Sequence, residues 1–222
     1  MSFETVVLDL AGTTVADDGL VEEAFTRAFD RVRPGDPDRS ASLDYVRATM
    51  GQSKIEVFRA LGDEATAQRL NIAFEQAYAE LVGQGRCEPI PGAVEAVGEL
   101  RRRGLAVVFT TGFGRATADA VIDALGWQQL ADAVLTPAEA GRGRPAPDLA
   151  LMALLRTGAS SVGSLVVVGD TESDAACGVA AGAGLVVGVL TGGRSESALR
   201  AAGAHEVISS VVELPALIDA RV

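Results

Sequence analysis

Residues 5–14 read TVVLDLAGTT, a short apolar run that ends in an aspartate and passes into small and hydroxyl-bearing residues. Short Val- and Leu-rich runs closed by small or polar residues read as buried strands of a parallel sheet. Five more runs share the pattern: LAVVFTT (105–111), AVLT (133–136), SLVVVGD (164–170), LVVGVL (185–190) and HEVISS (205–210). Helical patterns fill the gaps at 92–103, 114–126, 146–157, 172–182 and 195–202. Strands alternating with helices predict an α/β fold with a parallel sheet covered by helices on both faces.

Residues 16 to 88 break that rhythm. No strand pattern occurs there, only helical patterns at 19–33, 40–50, 53–61 and 63–83, punctuated by Pro34, Gly35 and Pro37, then by Gly51 and Gly62. The expected organisation is therefore a core built from 1–15 and 89–222, with an all-helical cap over 16–88. Hinges are expected near Val15–Gly19 and Glu88–Gly92.

Composition narrows the function. A chain of 222 residues with 48% hydrophobic and 22% charged residues is long enough and apolar enough to bury a proper core. Its 19 basic and 30 acidic residues leave a net charge of −11, which repels phosphate backbones and anionic lipids, so neither nucleic acid nor a membrane surface is an expected partner. One histidine, His205, and two distant cysteines, Cys87 and Cys177, cannot build a His/Cys zinc site. With no disulfide framework, basic leader or long apolar span, a cytoplasmic location is expected. Only one of the basic residues is a lysine, Lys54; the rest are arginine. Lysine can be a neutral amine nucleophile and arginine cannot.

In an open parallel sheet, ligands bind beyond the carboxyl ends of the strands. Those ends carry Asp9, then Thr110, Thr111 and Gly112, then Asp170 with Thr171, Glu172, Ser173 and Asp174 just after it. Arg142 and Arg144 lie in a Gly/Pro-rich loop after the third strand. Clustered carboxylates repel unless a cation sits between them, and a hard oxygen site suits Mg2+. Thr111, or Thr110, and the amides of Gly112–Gly114 can hold an anion. Arg144, or Arg142, can fork onto phosphate oxygens. An aspartate beside the metal can attack phosphorus. Bland readings stand beside these. Asp174 could be a first-turn helix acid, Thr111 a helix cap and Lys54 a solvated lysine. Gly112-Phe113-Gly114 begins like a dinucleotide fingerprint, but Thr117 stands where its third glycine belongs.

The ordered set DLAGTT (9–14), FTTG (109–112), GRGRPAP (141–147) and VGDTESD (168–174) resembles the haloacid dehalogenase (HAD) superfamily along essentially the whole chain. The resemblance implies a Rossmann-like doubly wound core and a C1-type cap. It implies Asp9 as nucleophile and Mg2+ held by Asp9, the Ala11 carbonyl and Asp170, with Asp174 supporting. It further implies Thr111, Gly112 and Arg144 as phosphoryl ligands. Within the superfamily the chain looks phosphonatase-like. Ala11 stands where most phosphatases of the superfamily carry a second aspartate, Arg144 stands for the usual lysine, and MGQSK (50–54) is similar to the cap motif whose lysine forms a Schiff base. A carbon leaving group would then depart as an enamine on Lys54. The chain departs from that branch at Val57, where it has a histidine, at Gly19–Leu20, where it has a cysteine, and at Phe113, where it has a tyrosine. An acid usual just after the first motif is displaced to Asp17. The expected substrate is a small phosphonate or phosphorylated metabolite, and the resemblance is compatible with a homodimer. Three rivals stay open: a phosphatase in which Lys54 only binds substrate, a metal-independent haloacid dehalogenase, and a binding module without turnover.

Overall fold

The computed structural model describes residues 2–221; Met1 and Val222, the ends of the expected core segments, lie outside that range. Six strands form one parallel sheet: β1 (Thr5–Asp9), β2 (Ala106–Thr110), β3 (Ala133–Leu135), β4 (Leu165–Gly169), β5 (Leu185–Val189) and β6 (Glu206–Ile208). Their order is β3-β2-β1-β4-β5-β6. Residues 16–88 hold four helices and no strand: α1 (Leu20–Val32), α2 (Arg39–Ala48), α3 (Lys54–Ala60) and α4 (Glu64–Gly83). The remaining helices are α5 (Ala93–Arg102), α6 (Arg115–Leu125), α7 (Pro137–Ala140), α8 (Asp148–Thr157), α9 (Glu172–Ala181), α10 (Glu196–Ala201) and α11 (Leu214–Asp219).

The Val-rich strands are explained by burial on both faces. Side chains alternate along a strand, so each face of the sheet needs its own apolar set. Val6 and Leu8 of β1 join Val166 and Val168 of β4 in one cluster with Val97 and Leu100 of α5, Val121 of α6 and Ile218 of α11. Val7 and Val167 face the other way, into Leu149 and Ala153 of α8, Ala175 and Cys177 of α9 and Leu199 of α10. A doubly wound α/β sheet follows. His205 is structural: its Nδ1 accepts the Val186 N–H at 3.1 Å at the sheet edge.

Some element ends differ from the sequence reading. α8 starts at Asp148 instead of 146, because Pro145 and Pro147 flank Ala146 and the helix begins past the second proline, at whose position it is capped. α11 and the turn before it were not anticipated. Val211, Leu214 and Ile218, all buried, recur at helical spacing and close the sheet face beside α5.

The inserted helices have a core of their own. Phe25 and Phe29 of α1, Phe58 of α3, and Phe74 and Tyr78 of α4 are fully buried, with ring centroids 4.9 Å apart for Phe25 and Phe58 and 4.7 Å for Phe25 and Phe74. Phe113, just past β2, adds a ring 4.7 Å from Tyr78, so this cluster is continuous with the sheet. The two chain segments that join insert and sheet run side by side. Ile90 N–H donates to the Thr14 carbonyl and Ala16 N–H to the Glu88 carbonyl, both at 2.9 Å. Further along the seam, Lys54 N–H donates to the Gly112 carbonyl and the Ser173 hydroxyl to the Met50 carbonyl, each at 3.1 Å. The backbones come so close that a Cβ on Gly112 would overlap the Gln52 carbonyl oxygen, and one on Gly51 (φ +83°) would overlap the Thr171 hydroxyl.

The aromatic cluster makes a direct prediction. Phe58→Ala removes a ring packed against Phe25, Phe29 and Phe74 and is expected to cost about 3–5 kcal/mol in chemical denaturation.

Candidate active site

The order of the sheet reverses at β1. The chain leaves it through β2 and β3 on one side and returns through β4, β5 and β6 on the other. A crevice opens at the carboxyl ends of the strands where such a reversal occurs. Asp9 is the last residue of β1 and Asp170 the first after β4, and these strands are paired, with Leu8 opposite Val168. The fold thus brings two acids 161 positions apart in sequence to one point.

Each acid is held differently. Asp170 accepts the Thr13 hydroxyl at 2.9 Å, and the backbones of Gly12 and Gly192 press against its carboxylate so closely that a Cβ on either would overlap it. Burial, and next the charge of Asp9, push the Asp170 carboxyl well above the usual carboxylate range. Asp174 forms a capping box with Thr171: Thr171 N–H donates to Asp174 Oδ2 at 3.0 Å, and Asp174 N–H to the Thr171 hydroxyl at 3.3 Å. The bland reading of Asp174 as a helix-start acid therefore holds, and it does not exclude more. Its other oxygen pairs with Arg144, whose Nη1 also lies 2.6 Å from Asp9 Oδ1. Arg144 is 5% exposed, and its Nε is buried with no partner among the described residues. Arg142 is exposed and pairs with Asp148 at 2.8 Å. Of the two loop arginines, only Arg144 meets the acids.

The donor set fits a hard cation. Asp9, Asp170 and Asp174 are buried and offer carboxylate oxygens within 4.8 Å of one another. Against three carboxylates stands the single guanidinium of Arg144, so a divalent ion with oxygen ligands suits the residual charge.

A cavity of about 290 Å³ lies between the sheet edge and the inserted helices. Asp9, Ala11, Lys54, Thr111, Gly112, Arg144 and Asp170 line it; of the site residues the resemblance implies, Asp174 alone does not, standing behind Arg144. The hydroxyl of Thr110 faces the Leu8 carbonyl at 3.5 Å inside the sheet, whereas Thr111 accepts the Phe113 N–H at 3.1 Å and opens on the cavity. Thr111 thus caps a turn, not the next helix. α6 begins at Arg115, and Gly114 at its start lies against the Glu75 carboxylate of α4. That helix end already faces an anion, which leaves Gly112 as the backbone position on the cavity.

Lys54 is the first residue of α3 and is buried. Its Nζ donates to the Gln52 carbonyl at 3.3 Å and lies 5.3 Å from the centroid of the Phe113 ring. Burial, then repulsion by Arg144, lower the amine from 10.5 to about 8, while Asp9, Asp17 and Asp170 pull the other way. Reading the sequence did not place Asp17, Arg47 or Arg194 on the cavity, but all three line it. Arg194 follows β5 past Gly192 and Gly193, so the strand-end census could have found it. Arg47 carried no signal, since only the packing of α2 brings it there.

Comparison with known proteins identifies the family. Residues 3–182 match the family of haloacid dehalogenase-like hydrolases. A phosphonoacetaldehyde hydrolase of Bacillus cereus is 31% identical over 207 residues, covering 86% of this chain and 77% of that protein. Among solved structures, a hydrolase from Pseudomonas syringae superposes with a TM-score of 0.86 at 26% identity, covering 98% of each chain. A phosphonoacetaldehyde hydrolase-like protein from Oleispira antarctica gives 0.84 at 27% identity, covering 99% of this chain and 92% of the other. The expected resemblance and α/β core are both borne out, and the chain belongs to the haloacid dehalogenase-like hydrolases.

Proposed function

We propose that this hydrolase is phosphonatase-like. It cleaves the C–P bond of a small phosphonate that carries a carbonyl group, using Asp9 as nucleophile and Lys54 as Schiff-base amine. One observation carries the reading: a lysine amine is buried in the same small cavity as Asp9 and Arg144, while Ala11 offers no acid for an oxygen leaving group. The helices over 16–88 act as the cap that closes the cavity, and the core comprises 1–15 and 89–222. Asp9, the Ala11 carbonyl and Asp170 would hold Mg2+, with Asp174 fixing Arg144 and the start of α9. Bound there, Mg2+ would offset the negative charge gathering on the phosphonyl oxygens.

The protein's own groups then divide the work. Thr111, the Gly112 amide and Arg144 bind the phosphonyl oxygens, Arg144 through an Nε that is otherwise unpartnered. Lys54 condenses with the carbonyl carbon, giving an iminium beside the C–P bond. An Asp9 oxygen attacks phosphorus as the C–P bond breaks, and the bonding pair passes into the iminium to leave an enamine on Lys54. A proton then adds to the enamine carbon to restore the iminium, and water cleaves both the iminium and the aspartyl-phosphate. With a pKa of about 8, about a tenth of the Lys54 side chains are neutral at pH 7, against about one in three thousand at 10.5.

A second reading has an observation in its favour. The Gln52 carbonyl and the Phe113 face both suit an ammonium, so Lys54 could serve a phosphatase as a cation that binds substrate. Borohydride separates the two. Reduction in the presence of phosphonoacetaldehyde is expected to fix substrate covalently on Lys54, and Lys54→Arg to lose the adduct and lower C–P turnover by roughly 10⁴-fold or more. The absence of an adduct would favour the phosphatase.

Three further outcomes follow. Asp9→Asn is expected to keep its melting temperature near that of the unaltered chain while hydrolysis falls by roughly 10⁴-fold or more, measured as phosphate release. EDTA is expected to stop turnover and added Mg2+ to restore it; turnover of a haloacid that survives EDTA would revive the dehalogenase reading. Imine formation in the borohydride assay should rise with pH through about 8, as the Lys54 amine loses its proton.

A further inference from the structure

Imine formation needs a proton that Lys54 cannot supply. When the amine adds to a carbonyl, the C–N bond forms and the oxygen takes up the proton that nitrogen loses, giving a neutral carbinolamine. Loss of water then requires a second proton on that oxygen as the C–O bond breaks and the nitrogen lone pair closes C=N. Without a donor, hydroxide would have to depart into a buried cavity.

Three carboxyl groups line the cavity: Asp9, Asp17 and Asp170; its other charged groups are Lys54 and three arginines, which keep their protons. Asp9 lies 2.6 Å from Arg144 and is taken up with phosphorus. Asp170 is held by the Thr13 hydroxyl and walled in by Gly12 and Gly192. Asp17 stands apart from that cluster. It lies on the joining segment just before α1, where Oδ1 accepts the Val21 N–H at 3.0 Å, and no described cation pairs with it within 4 Å.

We propose that Asp17 is the proton-transfer group for the Lys54 amine, protonating the carbinolamine oxygen as water leaves and recovering the proton when the imine is hydrolysed. The proposal rests on the Schiff-base reading and gives it the acid it lacks. The electrostatics support it. Burial raises the Asp17 carboxyl, the Val21 N–H and Lys54 draw it back down, and Asp18 and Asp9 add to the rise. Lys54 in turn feels Arg144 on one side and Asp9, Asp17 and Asp170 on the other.

The test compares borohydride trapping by phosphonoacetaldehyde, kcat and KM in the Mg2+-loaded unaltered chain, Asp17→Asn and Asp17→Glu. Asparagine keeps an oxygen for the Val21 N–H, so α1 retains its start; Asp17→Ser serves the same comparison if the asparagine variant melts early. The sign of the effect is diagnostic. If Asp17 acts only through its charge, removing it lowers the Lys54 amine further, leaves more neutral amine at pH 7 and speeds trapping. Proton transfer predicts the reverse: trapping and kcat fall roughly 10²- to 10⁴-fold in Asp17→Asn with KM little changed, and Asp17→Glu recovers part of the loss. Trapping at or above the unaltered rate in Asp17→Asn, with kcat intact, overturns the role of Asp17 alone. An unaltered chain that turns over substrate without any adduct overturns the Schiff-base reading and this role with it.

Discussion

Arg144 is the charge on which the site depends. Its Nη1 meets both Asp9 and Asp174, and together with Asp170 these are buried carboxylates at the end of a sheet in which β1 and β4 are buried along their whole length. Buried like charges are tolerable only when paired. Asp9 comes from β1, Asp174 from the first turn of α9 and Arg144 from the loop before α8, so one guanidinium ties together three parts of the chain that have only topology in common. Removing it would leave buried acids facing one another without a cation. The rest of the crevice is arranged around the same point. Thr13 bonds Asp170, Thr171 bonds Asp174, and Gly12 and Gly192 stand clear of Asp170 by having no side chain.

Much of this was legible in the sequence because strand ends and the sheet reversal are set by short-range patterns. The Val-rich runs located all six strands, and the acids closing two of them located the crevice. Distinguishing Thr111 from Thr110 was not possible from the residues, because the two side chains of adjacent strand-end positions face opposite ways and only the register decides which one opens on the cavity. Arg144 and Arg142 posed the same difficulty two residues apart in an irregular loop: one folds inward onto Asp9 and the other outward onto Asp148. Arg47 lay beyond reach for a different reason. Its position depends on how α2 packs within the insert, and helix periodicity does not encode that. Asp17 was visible only as an acid out of place after the first motif, since its proximity to Lys54 arises from the fold of the insert over the sheet.

The seam between insert and sheet uses backbone where a side chain would be expected. Lys54 N–H reaches the Gly112 carbonyl, and glycines at 51 and 112 let the main chains of the two layers touch. Lys54 is therefore positioned twice, through its backbone on the β2 loop and through its amine on the Gln52 carbonyl and the Phe113 face. A side chain anchored at both ends of its reach has little freedom to leave the cavity. It also ties the placement of the amine to the packing of the insert on the sheet, because the segment carrying Lys54 is itself part of the seam.

Those constraints bear on why one lysine stands among 18 arginines. A guanidinium in this cavity would stay charged at any physiological pH, whereas an amine responds to its surroundings. Burial lowers it first and Arg144 lowers it further, to about 8. The guanidinium that pairs with Asp9 is thus the same group that helps free the Lys54 amine of its proton. The coupling has a limit, because the carboxylates of Asp9, Asp17 and Asp170 push back and keep Lys54 from falling further. The amine is left part neutral and part charged near pH 8, and the neutral fraction is the form that the proposed attack on a carbonyl requires.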